Sequence, residues 1–420
     1  MHDPTAPVLP AGAGTPTGAR RVAGAPARLL ALLLAAALPA TPAAASDRGG
    51  PARTGVFAGA ALREAPQLAW AAKLGFRDWG HAVRAGGLVI ASNATGVGGL
   101  FALDERTGAL RWKQGKEQAH WSPVSDGHVV IAAYHTFPQA LAAYDVASGK
   151  PLWRLPFEHV QQSRPALVDG VLYATGRNGS FYAFDAATGA ERWHFTFAEK
   201  PAACGSLPVV DRGTVYFTGG GDGVHDKSKG NFVFALDAAT GRERWRFQAE
   251  AKYEWAGVCV REIVLAGDTL VASGFFNLYG IAAADGRAQW AVEVPDGAKR
   301  AEVHGLVVAD GALWGVTEHF LGAFDPASGR TLWQLPGAYR VVTPATAVAD
   351  HVLYFQGQVA GRDDAAPGGV LYALDLRRRE LLWSWFWPPT AGWHFGDLLP
   401  ADGAIYVDTE NALLKLNGPS

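Results

Sequence analysis

From about residue 62 to the end of the chain, short apolar runs recur between clusters of Asp, Ser, Thr and Gly. Five windows are near-copies: ALDERTGALRW ending at Trp112, AYDVASGKPLW at Trp153, AFDAATGAERW at Trp193, ALDAATGRERW at Trp245 and AFDPASGRTLW at Trp333. Degenerate copies end at Trp290 and Trp383. Each window runs an apolar strand into Asp, whose carboxylate accepts backbone N–H groups in the turn, and Gly supplies the positive φ that closes it. The chain then reverses into a second strand carrying Trp, a flat ring that fills the wedge between neighbouring sheets. Upstream lies a second pattern, two apolar strands around a tight turn, as in 166–176, 307–317 and 398–409. One unit is therefore a four-stranded meander.

Counted from Trp70, successive tryptophans are 40 to 52 residues apart, which fits four short strands per propeller blade. Trp70, Trp112, Trp153, Trp193, Trp245, Trp290, Trp333 and Trp383 mark eight outer strands. The two ends are out of phase: Trp70 has no strands before it, and the last apolar strands have no Trp after them. The predicted fold is all-β, an eight-bladed β-propeller of four-stranded antiparallel blades, closed by an N-terminal outer strand in the last blade.

Composition supports a well-buried chain rich in tight turns, with 49% hydrophobic and 18% charged residues and 51 Gly among 420. A formal net charge of −2 provides no basic field, so no nucleic acid is expected as a partner. Before the repeats, Arg20, Arg21 and Arg28 precede the apolar run Leu29 to Leu38 and then Ala43-Ala44-Ala45. That run is too short to span about 30 Å of hydrocarbon and reads as a signal peptide over 1–45, cleaved before Ser46. Sec and twin-arginine export both remain open for Arg20-Arg21. With no cysteine near the cleavage site, the product is expected to be exported, periplasmic or secreted, and not a lipoprotein. No membrane anchor is expected, and the chain alone is expected to be monomeric. The domain reading is a signal peptide (1–45), a linker (46–61) and the propeller (62–420).

These repeats resemble the quinoprotein-type, PQQ-like propeller repeat found in PQQ-dependent alcohol dehydrogenases and in BamB, the propeller subunit of the outer-membrane assembly machine. The resemblance covers about 62–420 and implies a fold that hosts enzymes and scaffolds alike. For the enzymes it implies two neighbouring cysteines packed on the quinone, a Ca²⁺ or lanthanide held by acidic and amide side chains, and an Asp base. This chain is shorter, has no adjacent Cys pair, and carries no such set at the matching positions. No cofactor and no metal site are therefore expected, and no catalytic residue is assigned. PQQ with Ca²⁺ or a lanthanide belongs to the alternative, a PQQ-dependent dehydrogenase-like enzyme with its site at the channel mouth. The reading preferred on the BamB side is an exported, non-enzymatic scaffold that binds an envelope protein or peptide. No G-x-S-x-G, G-x-x-x-x-G-K, C-x-x-C or H-E-x-x-H motif is present.

In a meander blade the loops between second and third strands and the blade-to-blade connections share one face, where function is expected. Counting back from the second strands places a polar collar at the channel mouth. It comprises Asp78 and His81, His120 and Ser122, Gln161 to Arg164 including Gln162, Cys204, Cys259, Glu302 and His304, Thr343, and His394 to Asp397, with Trp393 beside them. Imidazole and carboxylate bind cations, yet polar groups at a wet mouth need no ligand. Cys204 and Cys259 occupy equivalent positions on adjacent blades, so an inter-blade disulfide and two unpaired thiols are both open. Long loops at 219–231 and 358–369 are expected contact surfaces or tolerated insertions. Trp383, Trp385 and Trp387 sit at strand period, and Trp393 and Phe395 offer an aromatic anchor nearer the channel. Asn93 and Asn178 begin glycosylation-type triplets in predicted loops, and no weight is placed on them.

Overall fold

The computed structural model describes residues 48–50, 52–75, 82–93, 98–115, 117–119, 123–134, 139–157, 164–176, 178–197, 207–220, 232–249, 260, 262–274, 277–296, 299–300, 302–337, 346–358, 369–386, 395–409 and 411–419. Among them no helix is long and apolar enough to cross a membrane. Seven sheets follow one another along the chain: blade 1 (82–114), blade 2 (124–156), blade 3 (166–196), blade 4 (209–248), blade 5 (262–293), blade 6 (304–336) and blade 7 (346–386). Blade 8 joins Phe395–Ala401, Ala404–Thr409 and Ala412–Asn417 to Gln67–Lys73, its outermost strand. That strand runs antiparallel to Ala412–Asn417, with Gln67 opposite Asn417 and Lys73 opposite Ala412. Innermost strands meet neighbour to neighbour from blade 1 round to blade 8 and back. The predicted eight-bladed, N-terminally closed ring is the fold observed.

The repeat turns work as their residue types dictate. Asp104 Oδ1 accepts from the Thr107 amide and hydroxyl, both at 2.8 Å, and Asp185 and Asp237 hold Thr188 and Thr240 in the same way. Hydroxyls of Thr107, Ser148 and Ser328 hold the pKa values of Asp104, Asp145 and Asp325 below the ordinary carboxylate range. Guanidinium groups of Arg192 and Arg244 do the same for Asp185 and Asp237, the latter to about 2. A carboxyl depressed in the folded state stabilises fully above its unfolded value and loses that contribution as pH falls through the folded value. The melting temperature is therefore expected to hold from neutrality to about pH 5 and to fall between about pH 4 and pH 2. Thermal melts across that range test it, and Asp237→Asn should flatten the acid limb while lowering the neutral plateau.

Repeat tryptophans from blade 1 to blade 5 latch their blade to the next. Trp112 Nε1 donates to Val146 O at 2.8 Å, Trp153 to Ala186 O at 2.8 Å, Trp193 to Ala238 O at 3.1 Å, and Trp245 to Ala283 O at 3.0 Å. The ring lies on the turn glycine of that neighbour, so a Cβ on Gly149 would sit 2.7 Å from Trp112 and one on Gly241 2.6 Å from Trp193. The glycine thus serves two ends at once, the positive φ of the turn and the close approach of the indole.

The latch changes where the chain's ends meet. Trp383 Nε1 donates at 3.0 Å to Leu62 O, because the N-terminal segment stands in for a hairpin that blade 8 lacks. From blade 8 to blade 1, the carbonyl of Glu105 is taken by the Tyr406 hydroxyl at 2.9 Å and Lys415 Nζ at 3.0 Å, and the buried Trp70 Nε1 has no hydrogen-bond partner among the described residues. Blade 7 lacks the turn glycine altogether, and exposed Arg379 adopts φ 60° in its place. Arg379→Gly is expected to raise stability by about 1 kcal/mol by relieving that strain, read as a shift in a urea-denaturation midpoint.

Asn93, expected in a loop, instead ends a strand of blade 1 fully buried and donates Nδ2 to Leu74 O at 3.0 Å. The long loops lie outside the described residues at 221–231 and 359–368, as do Trp387 and Trp393.

Candidate functional site

The axis of the ring is the one place where all eight innermost strands converge, and each leaves one edge without a strand partner from its own blade. Blades 5, 6 and 7 are stitched together there. The Glu262 carboxylate accepts from the amides of Gly305 at 3.0 Å and Leu306 at 2.8 Å, and the Thr346 hydroxyl donates to Gly305 O at 2.6 Å. A carboxylate on two amides at the head of the next blade's first strand fixes the vertical register between blades.

Four of the collar's charged or titratable residues are described. Arg164 Nη1 lies 2.6 Å from Asp397 Oδ1, joining the start of blade 3 to the first strand of blade 8. Those blades are not neighbours in the ring, so this ion pair crosses the channel. Asp397 is 5% exposed. His304 and Glu302 form a second pair on blade 6, Nε2 to Oε2 3.7 Å. Asp78, His81, His120, Gln162, Trp393 and His394 lie outside the described residues, and so do Cys204, Cys259, Ser122 and Thr343.

Within the stretch 46–61, expected to be a linker, the described residues 48–50 and 52–61 pack against the blades. Val56–Phe57 pairs in parallel with the first strand of blade 7, Val56 opposite Val348 and Phe57 opposite Ala349. Val308 N of blade 6 donates to Thr54 O at 3.0 Å, and Val348 N of blade 7 to Gly55 O at 2.8 Å. Arg48, 8% exposed, donates to Leu306 O at 2.7 Å and Thr346 O at 3.3 Å. Arg53, 3% exposed, reaches across to Pro165 O at the head of blade 3. The segment therefore lies along the channel and ties blades 6 and 7 to blade 3. Its glycines and charges mimic linker composition; the apolar pair Val56-Phe57 between two glycines was the only local sign of burial.

Among the described residues the channel axis is crossed by Arg53 and by the Arg164–Asp397 pair, in which a guanidinium already holds the Asp397 carboxylate. No cluster of three His, Cys, Asp or Glu suited to a metal ion occurs among the described residues. A separate surface pocket of about 460 Å³ lies at the seam of blades 8 and 1, lined by Arg84, Glu105, Asp402, Tyr406, Lys415 and Asn417 among others.

Eight four-stranded meanders closed by an N-terminal strand define a propeller of the PQQ-like repeat class. The chain belongs to the family described as outer membrane protein assembly factor BamB, whose model matches residues 60–136 and 138–316, more than half of the chain. It is 26% identical over 242 residues to the outer membrane protein assembly factor BamB of Yersinia pestis, covering 54% of this chain and 57% of that one. It is 28% identical over 240 residues to the serine/threonine-protein kinase AfsK of Streptomyces coelicolor, covering 47% of this chain and 28% of that protein. The chain thus spans little more than half of one curated relative and under a third of the other. Among solved structures, the quinohemoprotein alcohol dehydrogenase ADHIIG from Pseudomonas putida HK5 superposes with a TM-score of 0.69 at 15% identity, covering 90% of this chain and 81% of that one. That likeness is one of fold.

Proposed function

We propose that this chain is an exported, non-enzymatic binding scaffold of the cell envelope, similar to BamB, that takes a protein or peptide on its outer rim. The observation carrying the reading is an asymmetry among the outermost strands. Large exposed apolar side chains sit on those of five consecutive blades: Leu332 on blade 6, Leu381 and Phe386 on blade 7, Leu68 on blade 8, Leu110 on blade 1 and Leu152 on blade 2. On blades 3 and 4 the matching positions are Glu191-Arg192 and Glu243-Arg244, and both arginines pair with the turn carboxylates Asp185 and Asp237. An arc of exposed leucines along strand edges open to pairing favours an extended apolar segment, held by main-chain bonds and by alternate side chains.

A photo-crosslinking residue at Leu152 or Leu381 in the exported chain is expected to capture an envelope protein that the same probe at Gln289 of blade 5 does not capture. Combined Leu110→Glu, Leu152→Glu and Leu381→Glu substitutions should weaken that partner's binding at least about tenfold with little change in melting temperature. Equal capture from both arcs sinks the rim reading. Stoichiometric binding of pyrroloquinoline quinone with Ca²⁺ or a lanthanide, together with dye reduction by alcohols, sinks the scaffold reading itself.

A further inference from the structure

We propose that the propeller channel is a binding site for an arginine-bearing peptide that turns before a short strand, and that the described residues of 48–57 of this chain are its resident ligand; Arg53 N bonds Gly50 O and Gly55 N bonds Arg48 O, both at 3.0 Å, ahead of the strand Val56–Phe57. Three observations carry this. First, ring closure does not depend on the segment, because a different strand, Gln67–Lys73, completes blade 8. Residues 48–57 are thus added to a ring that is already closed. Second, the segment binds as a peptide ligand does. It adds a parallel strand to the free inner edge of blade 7, accepts amide bonds from Val308 and Val348, and buries two arginines against carbonyls of three blades. Main-chain pairing supplies affinity and the side-chain positions supply specificity. Third, the groove selects. Gly55 has φ 76°, and a Cβ there would lie 2.6 Å from Val307 Cγ2, so only glycine passes between the paired residues and the blade 6 wall.

The ligand class follows from these contacts: a peptide with two arginines five residues apart on a turn, the second followed by Thr-Gly and a short Val-Phe strand or a close equivalent. Carbonyl oxygens at the heads of first strands recognise the guanidinium groups, the planar fork of Arg48 reaching two of them and that of Arg53 reaching Pro165 O. With its own segment in place the channel is closed to such a peptide, and withdrawal of the segment opens it. The inference rests on the channel alone and is independent of the rim reading.

The test uses the chain from Ser46 onward, the same chain lacking residues 46–57, and a fluorescent synthetic peptide of residues 48–60. The shortened chain is expected to bind the peptide, and Arg53→Ala in the peptide to weaken binding about tenfold or more. The longer chain should bind it at least about tenfold more weakly, because its own segment competes at high effective concentration. Should the shortened chain not fold, limited trypsin digestion of the longer chain reads the same site. Cleavage after Arg48 and Arg53 is expected to be slow in the native chain and at least about tenfold faster in Gly55→Val. The proposal is overturned if the folded shortened chain ignores the peptide or binds the Arg53→Ala form equally. It is also overturned if the native chain is cut at Arg53 as fast as Gly55→Val. Crosslinking from Leu152 is unaffected by either result, which separates this site from the rim.

Discussion

Deleting residues 46–74 is expected to destabilise the protein by more than about 5 kcal/mol and to drive it into aggregates. The loss removes all six registered pairs between Gln67–Lys73 and Ala412–Asn417. It strips the cover from Leu413, Leu414 and Leu416, each no more than 4% exposed, and removes Leu74 from the same core. Half-exposing a buried leucine costs about 1 to 1.5 kcal/mol, so these three side chains together with the lost burial of Leu74 approach the figure. Trp70, whose ring lies 5.9 Å from that of Tyr406, goes with them. The seam between blades 8 and 1 then has no outer wall, and the strand Ala412–Asn417 becomes a free edge ready to pair with another molecule. Urea denaturation and size-exclusion chromatography measure both effects. The chain lacking only 46–57 keeps the closing strand and should stay monomeric with a much smaller loss. Similar behaviour of the two deletions would remove ring closure as the cause.

Gly241→Ala should cost about 3 kcal/mol, against about 1 kcal/mol for Gly170→Ala. The two glycines have nearly the same backbone, φ 71° and φ 72°, so the strain of a Cβ in the left-handed region is common to both. They differ in what the Cβ meets. At Gly241 it lies 2.6 Å from Trp193 Cε3 and 2.7 Å from Cδ2, whereas at Gly170 nothing lies within 4 Å. The indole cannot retreat without losing its 3.1 Å bond to Ala238 O, and overpacking of this kind adds 1 to 3 kcal/mol, on the order of the expected difference. Denaturation midpoints of the two variants decide the matter, since equal losses would leave φ as the whole effect and the latch without energetic weight.

Much of this fold was legible because its information is local. Asp104, Thr107 and Gly108 lie within one turn and Trp112 one strand further, so a single window states the hairpin, and repetition states the blade. Trp70 disclosed ring closure for the same reason: a Trp-bearing strand without companions at one end answers strands without a Trp at the other. The second duty of the glycine was not legible. The indole that covers Gly241 belongs to the preceding blade, 48 residues earlier, and spacing alone does not say which face of a turn a distant ring will touch.

The candidate site divides along the same line. Arg164 and Asp397 were both expected at the channel mouth from their offset to the second strands, but that they would meet was not, since 233 residues separate them. Arg48 and Arg53 were hidden altogether, because glycines and arginines before a domain have the composition of a linker. The sequence by itself determined the blade, the count of eight and the strand that closes the ring, all of which follow from short-range turn chemistry and strand alternation. Only the tertiary structure decided that the channel is crossed by an ion pair and filled by the chain's own N-terminal segment. Those contacts exist because closing a ring of eight sheets brings the free edges of first strands, far apart along the chain, around one narrow axis. There, backbone donors and acceptors without partners take whatever peptide lies within reach.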